Sequence, residues 1–193
     1  MSDKPLAEWT LEELWELFPI VLRNHNLAYR EWYEQERDAL TALLGDRIRR
    51  ISHIGSTAVP GLLAKPTVDI LMEVSDRSGE DLAAILEGQG WLLMSGVPTG
   101  QPLRLVFNKG YTPQGFADKV YHLHVRPLGD WDELYFRDYL LDHPETAAAY
   151  AELKRSLLER YEHDRDGYTQ AKTPLITTIT DRARVEYPNR YVP

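Results

Sequence analysis

The segment HIGSTAVPGLLAKPTVDILMEV, residues 53–74, constrains the fold most strongly, because a turn of small residues leads into an apolar strand that contains a carboxylate. The even-numbered residues of TVDILMEV are all apolar and predict a core face. Asp69 stands on the opposite, mixed face with Thr67, Leu71 and Glu73. A buried charge is costly unless it is paired. The strand therefore predicts that Asp69 faces a cleft, a metal ion or a salt-bridge partner.

Helices are predicted at both ends of the chain. Thr10 and Glu13 have the spacing of a capping box, and apolar residues at three- and four-residue spacing predict a helix from about residue 27 to 44. The C-terminal third predicts three helices: one capped by Asp130 with Glu133, one with Pro144 in its first turn, and one from about Arg165 to Tyr187. Pro174 is expected to kink or break the last helix near Lys172, because proline lacks the amide hydrogen.

The middle of the chain predicts a small sheet. Alternating or apolar segments suggest strands at residues 47–54, 67–74, 91–94, 103–108 and 120–127, with a helix from Ser78 to near Gly88. The predicted order of elements is helices, then a small mixed sheet, then further helices. This order is typical of an α+β fold rather than of regular strand–helix alternation.

Composition excludes several classes of function. The 193 residues carry a net charge of −8, which argues against binding to extended nucleic acid, since that needs a basic surface. The absence of cysteine removes disulfides, cysteine-ligated zinc and a thiol nucleophile, and favours the cytoplasm. No apolar run is long enough to cross a membrane. We expect a cytoplasmic protein that acts on small molecules, and its oligomeric state is left open.

The turn before the Asp69 strand is a candidate anion site. Gly55, Ser56 and Thr57 let a ligand approach the backbone and add hydroxyl donors, and Lys65 supplies a positive charge. The alternative is an ordinary turn. The carboxylate of Asp69 suits magnesium or manganese, or else it pairs with an arginine or caps the turn.

Two histidines provide a second candidate group. His122 and His124 share one face of a predicted strand, where they can chelate a metal or flank a substrate. His53 either joins them or caps the turn. Arg104 either grips a phosphate or pairs with an acidic residue. A further predicted pair, four residues apart on a helix, lines a pocket mouth or is ordinary surface: Tyr168 and Lys172.

Four motifs together resemble the GrpB family: HIGSTAVPGLLAKPTVDI (53–70), YHLHV (121–125), FRDYLLDHPETAAAYAELK (136–154) and YTQAKTPLI (168–176). The resemblance begins near Phe18, so residues 1–17 are interpreted as an N-terminal helical extension of a GrpB-like domain at 18–193. The family belongs to the nucleotidyltransferase-fold superfamily. This implies a small mixed sheet of nucleotidyltransferase type, flanked by helices, with a helical C-terminal part.

The resemblance also implies site residues. Gly55 and Ser56 match a turn that binds a triphosphate, and Asp69 matches the first of the acids that hold divalent metal. The second acid position holds Leu71, and the strand expected to carry the third acid offers His122 and His124 instead. One carboxylate is a poor magnesium site, whereas a mixed aspartate and histidine set suits zinc, manganese or iron.

Three functions follow from these observations. The first is metal-dependent nucleotidyl transfer, with Asp69, His122 and His124 as catalytic residues. The second is a non-catalytic module of the same fold that binds a nucleotide or another phosphorylated small molecule, and Leu71 favours it. The third is a metal-dependent hydrolase that uses Asp69 with the two histidines. GrpB-like domains also occur fused to dephospho-CoA kinase, which points to nucleotide or coenzyme metabolism.

Overall fold

The computed structural model describes residues 10–75, 79–99 and 102–193, which contain a central mixed sheet of five strands. The strands are β1 (Ile48–Ile54), β2 (Val68–Val74), β3 (Leu92–Ser95), β4 (Leu105–Thr112) and β5 (Gly115–Pro127). Their spatial order is β1-β2-β5-β4-β3. Only β2 and β5 are parallel among these neighbours, and their register sets Asp69 beside His122.

Six helices in the described residues surround this sheet: α1 (Leu11–Leu17), α2 (Ala28–Leu44), α3 (Gly79–Glu87), α4 (Asp132–Asp142), α5 (Pro144–Tyr161) and α6 (Arg165–Glu186). Helices α2 and α3 pack with one face of the sheet in a core that includes Tyr29, Leu82 and Phe107. Helices α4, α5 and α6 form a second core that includes Tyr135, Tyr150 and Ile179. The predicted α+β class is confirmed.

The alternation in β2 is confirmed on its core face, where the even-numbered residues are at most 2% exposed. The opposite face is covered as well, because α4 packs over it. Leu71 is fully buried with Ile54 and Leu134. The carboxylate of Glu73, also fully buried, accepts hydrogen bonds from Arg50 and from the backbone N–H of Gly129. This pair compensates the buried charge and anchors the end of β2 to the loop before α4.

The helix ends differ from the prediction in two places. Helix α6 is continuous through Pro174, so of the predicted kink or break near Lys172 the break does not occur. Pro174 lies on the exposed side of α6, while Ile179 and Ala183 on the same helix are buried against α4 and α5. Packing of the buried side offsets the single lost hydrogen bond.

The predicted cap of α4 is also wrong. Its N-cap is Trp131, which makes no side-chain capping bond. Asp130 instead accepts hydrogen bonds from the Tyr135 hydroxyl, at 2.7 Å, and from Arg184. An ion pair with a cation is stronger than a bond to a neutral backbone amide, so this carboxylate is used between helices rather than at the helix start.

The hairpin of β4 and β5 is longer than predicted, since β4 continues to Thr112 and β5 begins at Gly115, in a stretch without regular apolar alternation. At its other end β4 begins at Leu105, so Arg104 precedes this strand instead of lying within it. The predicted helix start at Ser78 and residues 1–9 of the proposed extension lie outside the described residues. The capping box of α1 is confirmed by both of its bonds, between Thr10 and Glu13. None of the described helices is long and apolar enough to cross a membrane.

Candidate functional site

A cavity of about 370 Å³ lies between the mixed face of the sheet and the C-terminal helices. Most of the residues singled out by the sequence line it, and they come from both layers. The sheet and the turn before β2 contribute Gly55, Ser56, Thr57, Lys65, Asp69, His122 and His124, and the helices contribute Phe136, Tyr150, Lys154, Tyr168 and Lys172.

The turn after β1 packs directly against the Asp69 carboxylate. Gly55 has φ +71° and ψ −172°, a conformation that is essentially restricted to glycine. A Cβ atom at this position would overlap Oδ2 of Asp69 and lie 3.1 Å from its Cγ. Glycine is therefore required both by the backbone and by the close approach of this carboxylate.

His53 supports the turn from outside the cavity. The Thr57 hydroxyl donates to the carbonyl of Thr67 at 3.1 Å, so it accepts from Nε2 of His53 at 3.0 Å. The His53 ring also stacks on Tyr33, with 4.8 Å between ring centroids. Burial lowers the pKa of His53 to about 4, so the ring is neutral at physiological pH. The structure thus places His53 as the turn-capping residue and not on the cavity wall.

A chain of hydrogen-bonded side chains holds the Asp69 carboxylate in place. Arg165 Nη2 donates to the Tyr111 hydroxyl at 2.7 Å, which lies 2.8 Å from Nε2 of His122. Nδ1 of His122 lies 3.1 Å from Oδ1 of Asp69. Arginine can only donate, so the tyrosine hydrogen is directed to Nε2, and a neutral His122 carries its hydrogen on Nδ1. Every group in this chain then has a matched partner.

This geometry predicts the tautomer of His122. In ¹⁵N NMR spectra at neutral pH, Nδ1 is expected to carry the hydrogen, because Nε2 accepts from Tyr111. The Tyr111→Phe variant removes that donor and is expected to shift the population toward the Nε2–H form. An Nε2–H tautomer in the unmodified protein would contradict the assigned direction of the chain.

Asp69 is held in its ionised form. Burial alone raises the pKa of Asp69, but the hydrogen bond from His122 and the charges of nearby groups, including Lys65, bring it below the ordinary value. His124 lines the same wall, and burial lowers its pKa despite the opposing influence of Asp69. The carboxylate therefore carries a full negative charge at neutral pH next to a neutral His124.

Three lysines converge on the cavity. Lys154 is only 2% exposed, and its Nζ donates to Ser56 Oγ at 2.9 Å and to the carbonyl of Leu63. Burial lowers the pKa of Lys65 and of Lys154 to about 7 and that of Lys172 to about 8. These pKa values also include the lowering influence of positive neighbours on all three lysines and the raising influence of Asp69 on Lys65 and Lys172. Within the described residues, none of the three ammonium groups forms an ion pair with a carboxylate.

Tyr168 places an unused hydroxyl at the same wall. Its side chain is fully buried, and the hydroxyl has no hydrogen-bond partner among residues 10–75, 79–99 and 102–193. Lys172, one turn later on α6, lies with its ammonium 4.3 Å from the Tyr168 ring centroid. Buried polar groups are normally satisfied, so this hydroxyl is a donor that the described residues leave without an acceptor.

The described residues do not fit the divalent-metal site that the superfamily resemblance implies. They contain no group of three or more histidine, aspartate or glutamate side chains arranged to hold an ion. Leu71, at the second acid position, is packed in the interior. Both ring nitrogens of His122 already have partners, Tyr111 and Asp69, so a metal would have to displace one of them.

Several residues of the site were not predicted. Lys154 and Tyr150 are four residues apart on α5, the same spacing that identified Tyr168 and Lys172 on α6, and this spacing was the signal available in the sequence. Tyr111 and Arg165 gave no such signal. Arg104 was predicted to bind phosphate, but it is exposed and its guanidinium lies 5.0 Å from the Trp131 ring, outside the residues that line the cavity.

Comparison with known proteins supports the family resemblance that the four motifs indicate. A family model described as GrpB protein matches residues 19–182. A UPF0157 protein of Pseudomonas aeruginosa is 40% identical over 158 residues, which are 81% of this chain and 64% of that protein. The chain therefore spans less than two thirds of that relative.

One further relative has a solved structure of similar fold, and another is a longer protein. The crystal structure of conserved protein GrpB from Enterococcus faecalis has 30% sequence identity and a TM-score of 0.75, and it covers 86% of this chain and 99% of its own. A dephospho-CoA kinase of Mycolicibacterium paratuberculosis is 29% identical over 186 residues, which are 79% of this chain and 44% of the kinase. The assignment of the sheet to the nucleotidyltransferase type, and of residues 1–17 to an extension, stays a prediction.

Proposed function

The chain belongs to the GrpB family, and we propose that its cavity binds the phosphate group of a small phosphorylated molecule directly on lysine ammonium groups, without a divalent metal. The observation that carries this proposal is the convergence of Lys65, Lys154 and Lys172 on one cavity, where none of them is within ion-pair distance of a carboxylate among the described residues. The three ammonium groups outnumber the single negative charge of Asp69 at this wall, and an anionic ligand supplies further counter-charge.

The three lysines have different tasks in this proposal. Lys154 is already hydrogen-bonded to Ser56 and to the Leu63 carbonyl, so it holds the turn and contributes mainly its charge. The ammonium groups of Lys65 and Lys172 donate no hydrogen bond within the described part of the chain, so they are the ones that contact phosphate. Tyr168 adds a neutral donor at the same wall.

The class of ligand follows from the size of the cavity and from one relative. A cavity of about 370 Å³ is within the ordinary range for small-molecule sites. The relative named dephospho-CoA kinase makes coenzyme A precursors and nucleotides sensible members of a test panel, beside sugar phosphates. Nucleotidyl transfer and metal-dependent hydrolysis are less well supported, because Leu71 replaces an acid and His122 is fully hydrogen-bonded.

Binding should be measured by thermal shift and calorimetry against nucleotides, coenzyme A precursors, sugar phosphates and inorganic phosphate. Each ligand is tested with EDTA and with magnesium, manganese or zinc. At a hundred times its dissociation constant, a ligand is expected to stabilise the protein by about 2.7 kcal/mol in EDTA. Lys65→Met and Lys172→Met are each expected to weaken binding roughly tenfold, which is the effect of losing about 1.4 kcal/mol.

The matched control is Lys119→Met, since Lys119 is an exposed lysine that does not line the cavity and that donates to Gln35. This variant should bind like the unmodified protein. Binding that requires a divalent metal would overturn the proposal in favour of a metal-dependent site. Binding that survives in the Lys65→Met/Lys172→Met double variant would show that the phosphate does not lie on these two lysines.

A further inference from the structure

Among the carboxylates that line the cavity, Asp69 has a free oxygen. Asp132 is paired with Arg184, at 2.6 Å, and Glu133 with Arg126, also at 2.6 Å. Asp69 receives one hydrogen bond at Oδ1, from His122, and Oδ2 accepts none from the described residues. Asp69 therefore brings an oxygen without a hydrogen-bond partner to a cavity that three lysines also line.

The position of this oxygen is fixed by its surroundings. The Gly55 backbone lies against Oδ2, where a side chain of any size would overlap it. On the other side, the hydrogen-bonded chain from Arg165 through Tyr111 and His122 holds Oδ1. These two contacts hold the carboxylate in one orientation on the cavity wall, where Oδ2 is available to a hydrogen-bond donor of a ligand.

An ionised carboxylate only accepts hydrogen bonds, and it repels a phosphate brought near it. We infer that Asp69 is a specificity-determining residue, which selects phosphorylated ligands that also carry a hydroxyl group close to the phosphate. The phosphate contacts Lys65 and Lys172, and the hydroxyl donates to Oδ2 of Asp69. The ligand class is then polyol and sugar phosphates, including the ribose phosphate portion of a nucleotide, and simple alkyl phosphates are disfavoured. This inference rests on the proposed phosphate site.

A matched pair of probes tests it: glycerol 3-phosphate and n-propyl phosphate have the same three-carbon chain and differ in two hydroxyl groups. Dissociation constants are measured in EDTA by NMR titration of the unmodified protein and of Asp69→Asn. The unmodified protein is expected to prefer glycerol 3-phosphate about tenfold, the size of one good hydrogen bond to a charged group. Asp69→Asn is expected to weaken glycerol 3-phosphate binding about tenfold and to strengthen, or leave unchanged, the binding of n-propyl phosphate.

The changes in affinity of the two ligands on Asp69→Asn substitution distinguish between possible roles of Asp69. A purely structural role for Asp69 predicts that both ligands bind more weakly, and a purely repulsive role predicts that both bind more tightly. Either result overturns the inference while the phosphate site stands. If neither probe binds to the unmodified protein in EDTA, the proposed function fails as well.

Tyr111→Phe provides a second variant that leaves the charge of Asp69 in place. Tyr111 is a positioning residue, so its loss is expected to reduce the preference for glycerol 3-phosphate several-fold without changing the affinity for n-propyl phosphate. A preference unchanged from that of the unmodified protein would overturn the role of the hydrogen-bonded chain.

Discussion

Replacing Gly55 by alanine is expected to lower the free energy of unfolding by roughly 2–5 kcal/mol, which combines backbone strain with overpacking. The backbone at this position has φ +71°, and the new methyl group would overlap Oδ2 of Asp69. The turn has to move away from the carboxylate to relieve this contact. Ligand binding should fall together with stability, because Ser56 and Thr57 move with the turn. Urea unfolding followed by circular dichroism measures the change.

Two further variants separate the cost of backbone strain from the cost of the steric overlap with Asp69. Gly61 has φ +77° and no atom within 4 Å of an added Cβ, so Gly61→Ala adds backbone strain without overlap and is expected to cost about 1–2 kcal/mol. In the double variant Gly55→Ala/Asp69→Ala the overlap with the carboxylate is absent. A double-mutant cycle should give a coupling of about 1–2 kcal/mol between residues 55 and 69. A coupling near zero would show that the turn does not pack on Asp69 as described.

The free energy of unfolding is expected to rise as the pH increases from about 7 toward 10. A lysine whose pKa is about 7 in the folded protein and 10.5 when unfolded is neutral only in the folded state within this window. The unfolded chain then binds the extra proton, so stability increases with pH by about 1.4 kcal/mol per unit for each such lysine. Below pH 7 both states hold the proton, and above 10.5 neither does.

Lys154 is the largest single contributor that can be assigned, because it is almost completely buried. Its full effect across the window is roughly 5 kcal/mol, an order-of-magnitude figure. Above about pH 10 the trend is opposed by Tyr168, whose pKa burial raises to about 12, since the unfolded tyrosine releases its proton first.

Urea unfolding midpoints measured from pH 6 to 9.5 give this slope. Lys154→Met should reduce the slope by nearly one proton, whatever it does to stability at a single pH. The exposed Lys119→Met variant should leave the slope unchanged. A profile that is flat or falls over this range would contradict the burial of uncompensated lysines at the cavity.

The elements of the fold that depend on local pattern were predicted well. The core face of β2, the capping box at Thr10 and the end of α2 at Gly45 follow from side-chain spacing and backbone preference among neighbouring residues. Pro174 was misjudged because a local rule was applied to a helix whose position is determined by packing against two others. Local free energies of a few kcal/mol are smaller than the energy of burying a helix face.

The candidate site also has features that the local sequence predicts and others that only tertiary contacts produce. The sequence placed Asp69 and His122 on polar faces of two strands, but only the parallel pairing of β2 with β5 brings residues 53 positions apart into hydrogen-bond distance. Likewise, the residues around His53 in the sequence do not show whether its ring supports the turn or acts as a ligand. The partner of its ring, the Thr57 hydroxyl, is engaged by a carbonyl ten residues further along the chain.

By itself, the sequence determined the fold class, the family, the glycine turn and the strand that carries Asp69, since each of these is written in residues close together along the chain. Only the tertiary structure decided that Lys154 joins Lys65 and Lys172 at one cavity and that Leu71 is part of the core. The charge and burial of a side chain depend on what is packed around it. Those neighbours come from strands and helices that are distant in the sequence.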